Sequence, residues 1–226
     1  MSVRIVLPVA LTALCAVLLF KPPDFGVAAA DQGNSPASVL PDTNGDLGQP
    51  RRHFRVRDGA QLEDADAAAM YDRVAAEMAA GYALEDGNTA RSYQSWERFN
   101  TSPYTSSTHG KRYVNNYGNA LAREYGAYEK AAALPQGAIL AKDSFTVTKT
   151  GHPVPGPLFI MEKMSPGFSY VSGDWRYSMI MPDGSLFGTT NAEGSERVEF
   201  CISCHLARES TDHLFFIPEQ YRKIAK

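Results

Sequence analysis

Cys201-Ile202-Ser203-Cys204-His205 constrains this chain more than any other stretch. Two thiols separated by two residues, with an imidazole next in line, form the Cys-x-x-Cys-His pattern that attaches a c-type haem. In that chemistry the sulfurs of Cys201 and Cys204 add across the porphyrin vinyl groups as thioethers, and His205 reaches the iron from the proximal side. A Cys-x-x-Cys pair alone could instead be a disulfide, a redox pair or half of a zinc site. Zinc needs further ligands, and neither a second cysteine pair nor a spaced histidine pair follows. The expected cofactor is therefore one covalently bound haem c, with His205 as the ligand to its iron.

The N-terminus supports that expectation. Met1-Ser2-Val3-Arg4 precedes an apolar run from Ile5 to Phe20, and Ala28-Ala29-Ala30 stands before Asp31. Basic, apolar and small residues in that order read as a secretory signal over residues 1–30, cleaved after Ala30. An uncleaved anchor is the alternative, but the run falls short of the roughly 20 apolar residues that cross a bilayer. Cys15 would leave with the leader, so the haem pair would be the only cysteines of a periplasmic or otherwise exported chain. Residues 31–60 are rich in Pro, Gly, Asn, Asp and Ser without an apolar period, and read as a flexible linker. The remainder, 61–226, is expected to form one cytochrome domain. A net charge of −3 with both signs mixed argues against a nucleic-acid partner. The basic cluster of Arg51, Arg52, His53, Arg55 and Arg57 reads as a solvated domain edge.

Periodicity divides the folded part in two. From Asp64 to about Leu84, Ala67, Met70, Tyr71, Val74 and Met78 recur at three- and four-residue steps, which predicts an amphipathic helix with Asp64 as N-cap. A second helix is expected over Arg91–Phe99 and a third over Asn119–Ala132, with Asn100–Gly110 as loop. After Gly137 the period becomes two. Ile139, Ala141, Asp143, Phe145 and Val147 share one face of a strand, and Leu140, Lys142, Ser144 and Thr146 the other. Further strands are expected over Leu158–Met164 and from Trp175 to Pro182, with a hairpin returning through Leu186-Phe187. Helices followed by short strands indicate an α+β domain with an antiparallel sheet.

Three segments together, Leu134-Pro135-Gln136-Gly137-Ala138-Ile139-Leu140-Ala141-Lys142-Asp143, Gly173-Asp174-Trp175-Arg176-Tyr177 and Phe200-Cys201-Ile202-Ser203-Cys204-His205 with Asp212 following, resemble the cytochrome P-460 family. The resemblance runs from about Tyr104 to Tyr221. It implies a secreted mono-haem protein built on an antiparallel sheet. Some members oxidise hydroxylamine, whereas the related cytochromes c-prime-beta bind nitric oxide and other diatomic gases. In the enzymic members a strand lysine is joined to the haem macrocycle, and Lys142 occupies the matching position. Those members also carry a distal carboxylate, and Phe159 stands where it is expected. Phe159 cannot accept a proton, so at this position the chain is similar to the gas-binding relatives.

The remaining candidates are weaker. Glu162 is the nearest alternative carboxylate, but strand alternation puts it on the opposite face from Phe159. His109 could supply a distal hydrogen bond or proton route, with Arg112 beside it. Met161, Met164, Met179 and Met181 are candidate sixth ligands, although strand methionines are more often core filler. Three functions stay open at this point: a haem oxidoreductase acting on hydroxylamine or nitric oxide, a nitric oxide binding or sensing protein without turnover, and a His/Met electron-transfer cytochrome. The expected partners are a small nitrogen-containing ligand or diatomic gas and a periplasmic redox protein, with a homodimer as a further option.

Overall fold

Alternation along one strand sorts the molecule into two layers. The computed structural model describes residues 59–85 and 87–223. The expected leader, nearly all of the expected linker and the cluster around Arg51 lie outside the described residues. Strand β4 (Ile139–Val147) is flanked by β3 (Tyr113–Gly118) and β6 (Leu158–Lys163) in an antiparallel sheet. The sheet continues through β7 (Trp175–Ile180) to β8 (Leu186–Thr189), while β1 (Glu97–Arg98) and β2 (Tyr104–Thr105) pair with β3 and β5 (Pro153–Pro155) pairs with β4. The fold is α+β, with helices ahead of an antiparallel sheet of eight strands among the described residues.

One face of the sheet carries Ala141, Phe145, Val147, Leu158, Ile160 and Ile180 into a core shared with helix α1 (Asp64–Tyr82). The buried stripe of α1 is Ala67, Tyr71, Val74, Met78 and Tyr82, at steps of four, three, four and four residues. That spacing keeps all five on one side of a 3.6-residue helix, and burying each large apolar side chain contributes about 1.5–3 kcal/mol. Asp64 is the first helical residue and Glu63 the N-cap, with no side-chain capping bond. Asp64 and Asp66 instead favour the helix start by lying in its first turn, near the positive end of the dipole. Tyr82 anchors the other end by donating to the Gly156 carbonyl at 2.5 Å.

Two expected helices are different in the structure. Helix α2 spans Asn88–Ser92 and passes into a 3₁₀ turn at Tyr93–Ser95, after which the chain is extended. Phe99 is thus not helical. Its backbone N–H donates to the Asn116 carbonyl at 2.9 Å, which ties the segment to β3. The third expected helix is a 3₁₀ segment, Ala120–Lys130, broken at Tyr128, where φ is 54°. Asn119 caps it by accepting from the Ala122 N–H at 3.1 Å.

Between α1 and the sheet lies a buried polar knot. Asp143, fully buried, accepts from the Tyr71 hydroxyl at 2.7 Å, the Tyr93 hydroxyl at 3.2 Å and Asn115 Nδ2 at 3.2 Å. Because the Tyr71 proton is directed at Asp143, the 2.6 Å contact between the Tyr71 and Tyr117 hydroxyls is donated by Tyr117. Burial pushes the Asp143 carboxyl up to about 6, against the pull of these donors. A carboxyl raised in the folded state binds its proton more tightly there than in the unfolded chain. Its contribution to stability is therefore complete below about pH 4 and is lost as pH rises through about 6, on the order of 3 kcal/mol in all. Urea unfolding of the wild type and Asp143→Asn between pH 4 and 7 should show the wild type losing ground to the variant as pH rises. Parallel curves would contradict the assignment.

Candidate functional site

The other face of the sheet builds a cavity. Cross-strand register places Asn116, Lys142 and Phe159 in one row and Leu140, Met161 and Tyr177 in the next. Helix α3 (Ser195–His205) covers these rows, and Gly188 on β8 lets it approach, since a Cβ there would collide with the Gly194 carbonyl. Gly194, with φ at 64°, starts the helix in a left-handed conformation that glycine adopts without strain. Val198, buried, packs one turn before the cysteines.

The helix explains the motif's spacing. Residues three and four apart lie on one helical face, so Cys201, Cys204 and His205 are presented together. All three line a cavity of about 980 Å³ with His109, Lys142, Phe159, Met161 and Tyr177. No disulfide joins Cys201 and Cys204 in this structure, and burial beside Cys204 pushes the Cys201 thiol up to about 12. His205 is boxed between Tyr177, with ring centroids 5.0 Å apart, and Phe215, edge-on at 5.1 Å. Its Nδ1 lies 2.7 Å from the His213 carbonyl. A carbonyl only accepts, so Nδ1 carries the proton and Nε2 keeps a lone pair. Burial holds the imidazole down to about 4, so it is neutral at physiological pH.

Lys142 projects into this cavity from β4. It lies deep in the protein while its side chain keeps some accessible surface on the cavity wall, and burial pushes its amine down to about 8, with Cys204 pulling the other way. His109 packs its ring against Phe159 with centroids 4.7 Å apart, and its Nδ1 lies 3.0 Å from both the Ser106 and Thr108 hydroxyls. Burial, Lys142 and His205 hold it well below the ordinary imidazole range. Of the four methionines considered as iron ligands, Met161 alone lines the cavity. Arg112 is not among the lining residues.

Glu162 is not at the cavity. It sits on the face turned toward Ile160 and Ser178, and its carboxylate pairs with Arg176 across β6 and β7. Strand alternation puts it one residue out of phase with Phe159 and Met161. Among the described residues lining the cavity there is no carboxylate.

Sequence reasoning did not find Tyr177, Asn116 or His213. The Tyr177 hydroxyl is buried, belongs to a residue that lines the cavity and has no hydrogen-bond partner among the described residues. Asn116 accepts from the Tyr104 hydroxyl at 3.1 Å and donates to the Tyr125 hydroxyl at 3.0 Å. Only the alternation from Trp175 through Tyr177 could have pointed to the first; the other two carry no spacing signal.

The donor set fits a haem. Two thiols on one helical turn face an apolar cavity of cofactor size, beside an imidazole whose outer nitrogen is held by a backbone carbonyl, as in metal-ligating histidines. Residues 90–216 match the family model of cytochrome P460, which is more than half of the 226-residue chain. The chain belongs to the cytochrome P460 family, and membership implies a haem cofactor with its iron. No curated protein matches the chain. No helix among the described residues is long and apolar enough to cross a membrane.

The position of Glu162 has a measurable consequence. Glu162→Gln should leave the absorption spectrum and ligand binding of the haem protein unchanged. Losing a partly exposed pair with Arg176 should cost about 0–1 kcal/mol in denaturant unfolding. A shifted spectrum would place Glu162 in contact with the haem.

Proposed function

We propose that this protein is an exported mono-haem c-type cytochrome that binds a small nitrogen-containing ligand, nitric oxide above all, in an open site lined by Phe159 and His109. One observation carries the reading: Cys201, Cys204 and the neutral His205 converge from one helix on a cavity whose described lining has no carboxylate.

Cys201 and Cys204 would hold the group as thioethers. His205 would ligate the iron through Nε2, with the His213 carbonyl keeping the proton on Nδ1. Lys142 is the third residue assigned to holding the macrocycle, because its amine lines the same cavity as Cys204 and loses its proton more readily than an exposed lysine. Bound haem supplies an iron that coordinates the ligand and exchanges electrons with it. Phe159 and the ring of His109 exclude water beside the ligand, and apolar crowding favours small neutral gases over bulky or charged species.

Oxidation of hydroxylamine is the second reading, favoured by the neutral His109 at the cavity wall. A base must take protons as electrons leave, and a neutral imidazole lining the cavity can do so where a carboxylate is lacking. The electrons would pass to a periplasmic redox partner. We assign residues 1–30 to the leader, 31–60 to the linker and 61–226 to one domain.

Replacing Cys201 and Cys204 by alanine should abolish haem staining on a denaturing gel. Covalent haem surviving in the double variant would overturn thioether attachment and point to Lys142. Carbon monoxide should bind the reduced protein without displacing a protein ligand. A sharp six-coordinate ferrous spectrum that carbon monoxide does not change would show Met161 or His109 on the iron and contradict the open site.

A further inference from the structure

The turn that follows the haem motif is strained, and a buried cluster holds it so. After His205 the chain makes a 3₁₀ segment, Leu206–Thr211, and then two consecutive non-glycine residues take left-handed backbone, Asp212 with φ 54° and His213 with φ 60°. Such conformations persist only where the surroundings over-determine them, and they cluster where geometry serves function. Here they turn the His213 carbonyl back onto His205 Nδ1 at 2.7 Å.

Asp212 is the fixed point of this turn. Its carboxylate accepts from Lys163 Nζ at 2.5 Å and from the Leu134 N–H at 2.8 Å, and its own carbonyl accepts from Trp175 Nε1 at 2.8 Å. The Lys163 and Asp212 side chains are only 15% and 11% exposed. Lys163 Nζ also donates to the Gly173 carbonyl at 2.9 Å and lies 5.0 Å from the centroid of the Trp175 ring. Gly173 completes the cluster, since a Cβ there would come within 2.5 Å of the His213 ring. Among the described residues His213 Nδ1 has no hydrogen-bond partner. Its backbone N–H donates to the Arg208 carbonyl at 2.8 Å, so backbone contacts and the packing of the ring on Gly173, rather than a side-chain hydrogen bond, fix where its carbonyl points.

We propose that Lys163, Asp212 and Trp175 are positioning residues for the iron ligand: through the strained turn at 212–213 they press the His213 carbonyl against His205 Nδ1 and so set how strongly Nε2 donates to the iron. The inference rests on the reading of His205 as that ligand. A shorter, straighter bond at Nδ1 makes the imidazole more basic, and a more basic ligand favours ferric over ferrous iron. Loosening the clamp should therefore weaken the iron–histidine bond and favour the reduced protein.

The test uses the full chain carrying its attached haem. Lys163→Met removes the ammonium and keeps most of the stem, Trp175→Phe removes the Nε1 donor and keeps an aromatic ring, and Lys163→Arg restores the charge. Resonance Raman of the ferrous protein reads the iron–histidine stretch, and spectroelectrochemistry reads the ratio of oxidised to reduced protein at a fixed potential. Lys163→Met and Trp175→Phe should each lower the stretch and shift the ratio several-fold toward the reduced form. Lys163→Arg should stay nearer the wild type. Glu129→Gln, which breaks the ion pair with Arg222 outside the clamp, should move neither readout. Folded variants with the wild-type stretch and ratio would overturn the proposal, and Trp175→Phe decides it if Lys163→Met fails to fold. A wild type with no iron–histidine stretch would instead refute His205 as the ligand, a different failure.

Discussion

Everything in this molecule depends on the register of β4. Its odd-numbered residues, from Ala141 to Val147, face α1, and Leu140 and Lys142 face the cavity. Because strand side chains alternate, a slip of one residue would send the amine of Lys142 into the tyrosine knot and the carboxyl of Asp143 toward the cysteines. Both outcomes bury a charge-bearing group among partners that do not suit it. Asp143, with two tyrosine hydroxyls and Asn115 around it, thus specifies the same register from behind that the cavity needs in front.

The cavity is electrostatically spare. Burial, helped by the neighbouring Lys142, keeps His205 and His109 neutral, and burial draws Lys142 toward its free amine, while no carboxylate among the described lining residues opposes these shifts. Such a lining suits a large flat apolar group and a small uncharged ligand. The charged residues that do matter lie behind it, in the pair of Lys163 and Asp212, where they order backbone and not ligand.

How much of this was legible in the sequence follows from which residues obey a period. The five-residue motif, the alternation in β4 and β7 and the stripe of α1 were legible because each buries one face and wets or empties the other. Strand β3, Tyr113-Val114-Asn115-Asn116-Tyr117-Gly118, was not, since every one of its residues is buried and half are polar or glycine. Its asparagines satisfy tyrosines and Asp143 on both faces, which leaves no apolar alternation to read. The second helix lies earlier than its spacing suggests, because Tyr93, Trp96 and Phe99 keep a three-residue step through a 3₁₀ turn and into extended chain while the helix itself begins at Asn88. Asp212 and His213 were opaque for another reason: Asp and His take left-handed backbone more readily than most residues, but nothing local marks two in succession, and tertiary partners hold them there.

A crystal structure of the exported, haem-loaded protein tests the central claim most directly. The account predicts unbroken density from the sulfurs of Cys201 and Cys204 to one edge of a porphyrin that fills the cavity between α3 and the Lys142–Phe159 row, with His205 Nε2 on the iron and Nδ1 still on the His213 carbonyl. A disulfide between Cys201 and Cys204, or an iron held by a residue other than His205, would contradict it.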